Sequence, residues 1–266
     1  MNRKTVRIEQ MSWVEYVRRV EKDDPVVLFP VGSLEQHGPH LPMHCDEVIP
    51  RALSERVAHR IPGLVAPSMC YGYKSQPRSG GGNHFPGTTS LDADTVIGHV
   101  RDVIVELARH GIRKIAVMDG HYENTMFITE GIDLALRQVR ADGIRNMKVL
   151  RISYFEFTSR DTEKKVWPDG FPSWPLEHAG IMETSVMLEL CPDLVNMDEV
   201  PHHGPAEFQP FDVFPATQEN LPGLPNSGAL ISAASATADK GKMFVDDFVN
   251  GITDAMVDQF GFTISK

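Results

Sequence analysis

Cysteine is scarce in this chain of 266 residues: there are three, Cys45, Cys70 and Cys191, widely spaced and without a CxxC pair. That speaks against a disulfide framework or a thiolate zinc cluster and for a reducing, cytoplasmic setting. Long apolar runs are missing too. The stretch MNRKTVRIEQMSWVEYVRRVEK carries charges throughout, with no apolar core of signal-peptide length, and no later run approaches membrane-spanning length; a soluble protein is expected. Basic residues number 26 against 36 acidic ones, a net charge of -10. Such a balance argues against a sequence-independent grip on nucleic acid or anionic lipid and for small-molecule partners. Ser79-Gly-Gly-Gly82 has no Walker lysine after it, and no GxGxxG opens a helix, so a nucleotide site is not expected. With no repeat or low-complexity tract, the length suits a single domain over residues 1–266.

What is present alternates. Pro25 to Val31 reads as a buried strand ending at a glycine, and Ile49, Leu53, Val57 and Ile61 mark a helix that opens at Asp46. Leu64 to Cys70 is a second strand, which Pro67 moves toward an edge. After the long glycine-rich loop 71–90, Asp92 caps a helix striped by Val96, Val100, Val103, Ile104 and Leu107. Lys114 to Met118 is a strand, Asn124 to Arg140 a helix and Met147 to Ser153 a further strand. Strands alternating with helices predict a three-layer α/β/α fold with a mostly parallel sheet. Residues 154–176, mixing aromatics with prolines and charges, suit a mobile lid, and Glu177 to Leu190 reads as a helix. Residues 195–230 hold six prolines and suggest an extended, surface-hugging segment. Phe244, Phe248, Ile252, Met256 and Phe260 recur every four residues, as in an amphipathic C-terminal helix.

Ligands in parallel sheets bind outside the carboxyl ends of strands. Two carboxylate-imidazole pairs fall at such ends: Glu35 with His37, and His121 with Glu123. Side chains two apart in extended chain point the same way, so each pair makes a prong. With Asp46 as a bridge, five oxygen and nitrogen ligands suit two divalent ions such as zinc or manganese. Two neighbouring ions can activate water and polarise a carbonyl or phosphoryl oxygen. His40 and His44 fit supporting roles, and His59, His99 and His110 surface or core roles. Cys45 reads as a small packed side chain.

Leu34-Glu-Gln-His-Gly, Tyr71-Gly-Tyr-Lys-Ser, Gly80-Gly-Gly-Asn-His-Phe-Pro-Gly-Thr-Thr-Ser-Leu-Asp92, Gly120-His-Tyr-Glu-Asn124, and Glu177-His178 with Glu183-Thr-Ser, in this order, closely resemble the creatininase family. The likeness runs from about residue 12 to the C-terminal helix. It implies a two-metal hydrolase that opens a cyclic amide, creatinine to creatine, in a homohexamer. By matching motif, Glu35 and His121 look like ligands of one ion, His37 and Glu123 of the other, with Asp46 between them. Ser79, Tyr122, Trp174 and His178 correspond to substrate contacts, with His178 shuttling a proton. Two positions depart from the family pattern. Phe155 stands where a second lid tryptophan is expected, losing an indole donor, and Pro175 replaces an aspartate that contacts substrate. A creatininase-like hydrolase of another small amide or carbonyl compound, and a non-catalytic metal or small-molecule binder, are the alternatives left open.

Overall fold

In the computed structural model, which describes residues 5–214, 216 and 223–262, the apolar run after Pro25 forms β1, Val26–Val31, and every residue of it is buried. A strand with no exposed face needs cover on both sides. Its alternation shows where that cover lies, because Val26 and Leu28 enter one apolar core while Val27, Phe29 and Val31 enter another. The strand β3, Lys114–Asp119, divides in the same way, with Ala116 and Met118 on one side and Ile115 and Val117 on the other.

The sheet is parallel throughout, in the order β2-β1-β3-β4, with β2 at Gly63–Val65 and β4 at Lys148–Ser153. The helices α2 (Cys45–Ala58), α7 (Ile181–Leu190) and α8 (Ala238–Phe260) cover one face; α4 (Ala93–Arg109) and α5 (Thr125–Ala141) cover the other. The remaining helices are α1 (Trp13–Asp23), the single turn α3 (Pro77–Gly80) and α6 (Arg160–Val166). This is the three-layer α/β/α arrangement expected from the alternation. The four-residue rhythm of α8 points Phe244, Phe248, Ile252 and Met256 into the core. No helix among the described residues is long and apolar enough to cross a membrane.

Several expectations need correcting. The strand expected over Leu64 to Cys70 keeps only Leu64 and Val65, joined by Gly63, and stops before Pro67, at the sheet edge, because proline has no N–H to give the ladder. Asp92 occupies the N-cap position of α4, yet its carboxylate pairs with Lys74 and makes no cap bond. Residues 154–176 are anchored in the core at four positions, Tyr154, Thr162, Val166 and Trp167, while Phe155 and Trp174 stay partly exposed. Tyr154 and Trp167 are buried, α6 was unforeseen, and the Trp167 Nε1–H donates to Glu177 Oε1 at 3.0 Å. The helix expected from Glu177 begins at Ile181, after a 3-10 turn at Trp174–Glu177. Within 195–230, residues 215 and 217–222 lie outside the described residues. The segment is exposed at Phe211 to Phe214, but Ala229 and Leu230 are fully buried, and the Leu230 N–H donates to the His178 carbonyl. It therefore enters the interior beside the candidate site.

Candidate metal centre

β1 and β3 lie side by side with their carboxyl ends opening on one gap. From β1 the chain runs to β2 on one flank and next to β3 on the other, so the strand order reverses at this gap, where parallel sheets bind ligands. Glu35 and His37 arrive from the loop after β1, His121 and Glu123 follow β3, and Asp46 sits in the first turn of α2. Gly32 and Gly120 let that turn approach, since a Cβ there would lie 2.4 or 2.2 Å from the Asp46 carbonyl oxygen.

Glu35, His37, Asp46 and His121 are buried, and the Glu123 side chain is 6% exposed. Asp46 spans both imidazoles: Oδ1 is 3.2 Å from His37 Nε2, and Oδ2 is 3.0 Å from His121 Nδ1. His121 Nδ1 also lies 3.1 Å from Glu35 Oε2. Glu123 stands on the His121 side, 3.5 Å from Nε2, where its Oε1 accepts hydrogen bonds from Ser79 Oγ at 2.6 Å and the Gln76 N–H at 3.0 Å. Beside His37, the structure instead brings Glu183 of α7, with Oε2 at 3.8 Å from Nε2. Three sets of donor atoms cluster closely enough to share an ion: Glu35, Asp46 and His121; His37, Asp46 and Glu183; and Glu35, His37 and His178.

These residues fit a pair of cations. Among the described residues, the carboxylates of Glu35, Asp46, Glu123 and Glu183 pair with no lysine or arginine and have only His37 and His121 as ionic partners. Acids gathered in so little water need compensating positive charge. Burial pushes Glu35 up to about 8, although His121 pulls the other way. Burial also opposes charge on His37 and His121, but carboxylates overcome it, chiefly Asp46 for His37 and Glu123 for His121, and hold both rings well above the ordinary imidazole value. Protons thus occupy lone pairs that divalent ions would use. Glu35 Oε1, His37 Nε2 and Asp46 Oδ2 are buried without a hydrogen-bond partner, so close approach occurs here without hydrogen-bond geometry. A set of imidazoles and carboxylates without thiolate suits zinc or manganese. Cys45, fully buried, has its Sγ 3.0 Å from the Pro42 carbonyl oxygen, and burial pushes its thiol far up, which fits the packed side chain expected.

A cavity of about 30 Å³ lies over the cluster, lined by Glu35, Asp46, His121 and Glu123 below and by Ser79, Tyr122, Phe155, Trp174 and His178 around it. Every ligand or substrate-contact candidate taken from the sequence therefore faces this chamber except His37, which lies behind it with its ring 4.4 Å from that of His178. Phe155 and Trp174 pack together, 5.2 Å between centroids, and Tyr122 stacks over Phe155 at 6.3 Å. Burial, helped by the charge on His37, pushes His178 well below its ordinary value, so its imidazole is neutral near pH 7. His40 stays outside the cluster and contacts Thr184 Oγ1 at 3.0 Å, its pKa lowered to about 4 by burial.

Sequence reasoning assigned no site role to Glu183 or Gln36. Glu183 lies in the motif Glu183-Thr-Ser and five residues after His178, but neither signal tells a ligand from a solvated acid. Gln36 lies between two ligand candidates, where alternation points it away from them.

A family model described as creatinine amidohydrolase matches residues 9–256. The creatinine amidohydrolase of Pseudomonas putida is 50% identical over 258 residues, 97% of this chain and 98% of that protein. A crystal structure of creatinine amidohydrolase (creatininase) superposes with a TM-score of 0.95 at 49% identity, covering 98% of this chain and 100% of that one. Creatininase structures described as a manganese form, a Zn–Zn glutamate-to-glutamine variant and such a variant with creatine match at TM-scores of 0.93 to 0.94, with 49 to 50% identity over 97% of this chain and 99% of theirs. Both its sequence and its fold make the chain a member of the creatininase family.

Proposed function

We propose that this protein opens creatinine by adding water across its ring amide, giving creatine, and that residues 1–266 form one domain serving this reaction. The observation that carries the reading is the single Asp46 carboxylate divided between His37 and His121 at the strand-order reversal. Glu35, His121 and Asp46 would hold one divalent ion, and His37 and Asp46 the other. For the second ion, Glu183 is supported by its nearness to His37 and Glu123 by the family motif. Two such ions acidify water and draw charge onto the scissile carbonyl oxygen.

The chain's own residues do the rest. Glu123 takes the Ser79 hydroxyl proton in a hydrogen bond, which turns the Ser79 oxygen lone pairs toward an N–H of the substrate. Trp174 and Phe155 close over the chamber and exclude water. His178, neutral and at the chamber wall, takes a proton from the attacking water and hands it to the leaving ring nitrogen as the C–N bond breaks. Water's oxygen ends on the carbonyl carbon and both of its protons remain in the product. The test is ring opening of creatinine by protein whose zinc or manganese content is verified; fully loaded protein that leaves creatinine intact refutes the reading.

A second reading, another amide larger than creatinine, has its own support. A chamber of about 750 Å³ shares Ser79 and Tyr122 with the small cavity and is lined by Pro175, Leu176, Phe208 and Phe211. Turnover of a bulkier amide with a kcat/KM above that for creatinine would favour it. For the assembly, Trp13 and Val17, 77% and 40% exposed on α1, suit burial between subunits, as in the homohexamer that the family resemblance implies. Free cysteines fit a cytoplasmic location. Sedimentation of the purified protein tests the first point and fractionation of cells the second.

A further inference from the structure

The side chain of Gln36 is nearly buried, 7% exposed, and is surrounded on all sides by groups that decide which way its amide points. Oε1 accepts from the Gly38 N–H at 2.9 Å. Nε2 lies 2.9 Å from the Gly80 carbonyl oxygen, 3.1 Å from the Gly228 carbonyl oxygen and 2.9 Å from His178 Nε2. The reversed amide would set oxygen against two carbonyls and N–H against N–H, so this orientation is fixed by the partners. There is no slack for another one. Gly228 has φ +80°, and a Cβ there would stand 2.0 Å from Gln36 Oε1.

An imidazole nitrogen facing an amide N–H presents its lone pair. His178 Nε2 is therefore bare and the ring proton sits on Nδ1. The amide NH₂ has two hydrogens and three acceptors, so one contact can always be given up. If His178 lets go, the two carbonyls still satisfy both hydrogens.

We propose that Gln36 is a positioning residue that acts as a latch on His178: its amide, fixed by its backbone partners, holds the tautomer with the lone pair on Nε2. The proposal rests on the proton-shuttle role given to His178 above. In that role Nε2 gains a proton from water as the oxygen–carbon bond forms, Nδ1 keeps its own, and Nε2 returns the gained proton to the leaving nitrogen. Gln36 gains and loses none.

The test is the tautomer of His178 in ¹⁵N-histidine-labelled, zinc-loaded protein, read from long-range nitrogen-proton correlations, alongside steady-state kinetics. The expected spectrum has a protonated Nδ1 and a bare Nε2. In Gln36→Glu, where a carboxylate can only accept, the proton moves to Nε2. In Gln36→Leu the tautomer is no longer single, and kcat falls at least about tenfold while KM changes less than about twofold. A wild-type spectrum with the proton on Nε2 overturns the proposal, and so does a Gln36→Leu enzyme with unchanged kcat. The wild-type spectrum needs neither a stable variant nor turnover, so it judges the latch even if creatinine proves not to be the substrate.

Discussion

Replacing Glu183 by glutamine should cost the protein one of its two metal ions. The change is nearly isosteric, and glutamine keeps a carbonyl oxygen that can accept from the Ala179 N–H, the bond that Glu183 Oε2 now makes at 2.6 Å. The turn between His178 and α7 is thus preserved, and what is removed is a negative charge 3.8 Å from His37 Nε2. An ion held by His37 and Asp46 would feel that charge at a similar distance. Counting only one unit of the ion's charge, a pair near 4 Å is worth about 4 kcal/mol at an effective dielectric of about 20, so the loss is at least about three decades in affinity. Calorimetric titration of the metal-free variant should find one ion bound as in the wild type and the second weakened at least about 10³-fold, with elemental analysis giving about one ion per chain after gel filtration. Two ions held with wild-type affinity would refute the reasoning and leave Glu183 as a brace for the Ala179 turn.

Other expectations follow from the same geometry. Burial pushes Asp119 from 3.8 up to about 7, against hydrogen bonds from Thr125 and His121. The folded state therefore keeps a proton that the unfolded chain gives up, so the stability from this group is complete below about pH 4 and is lost as pH rises toward 7. Asp119→Asn should flatten that part of the stability curve in urea titrations from pH 4 to 8; an unchanged slope would dismiss the effect. Phe248→Ala should lower stability by about 3–5 kcal/mol, because the ring is fully buried between Phe244 and Tyr154, and a loss under about 1 kcal/mol would mean that the core closes over the gap. Pro175→Asp with Phe155→Trp should raise kcat/KM for creatinine about tenfold, the scale of one charged hydrogen bond; no gain would remove these two positions from the account of specificity.

The legible part of this protein was whatever depends on local pattern. β1 and β3 could be found because unbroken apolar runs are what a strand covered on both faces requires. The strand-end rule then brought Glu35, His37, His121 and Glu123 to one place before any contact was visible. Glu183 stayed hidden because α7 is apolar on every side but a few positions, so nothing in its periodicity aims one acid at the site. The aromatic run around Trp167 misled for a related reason. Prolines and charges suggest a mobile surface segment, whereas burial here depends on distant partners, Glu177 for the indole N–H and Phe244 for the ring face. No local window contains both.

The neighbouring of β1 and β3 also governs when the centre can exist. Val26 is in register with Lys114, and the whole of α2, β2 and α4 is threaded between them. During synthesis, the prong of Glu35 and His37 emerges long before that of His121 and Glu123, and a lone prong with Asp46 is too sparse to retain an ion against the competing ligands of a cell. Only the closing of this long-range strand pair, a slow step in folding because the loop is long, joins the two halves. Metal acquisition therefore follows the closing of the β1–β3 pair: a chain purified from a metal-starved culture should already be folded, and should need only ions, and no refolding, to become active.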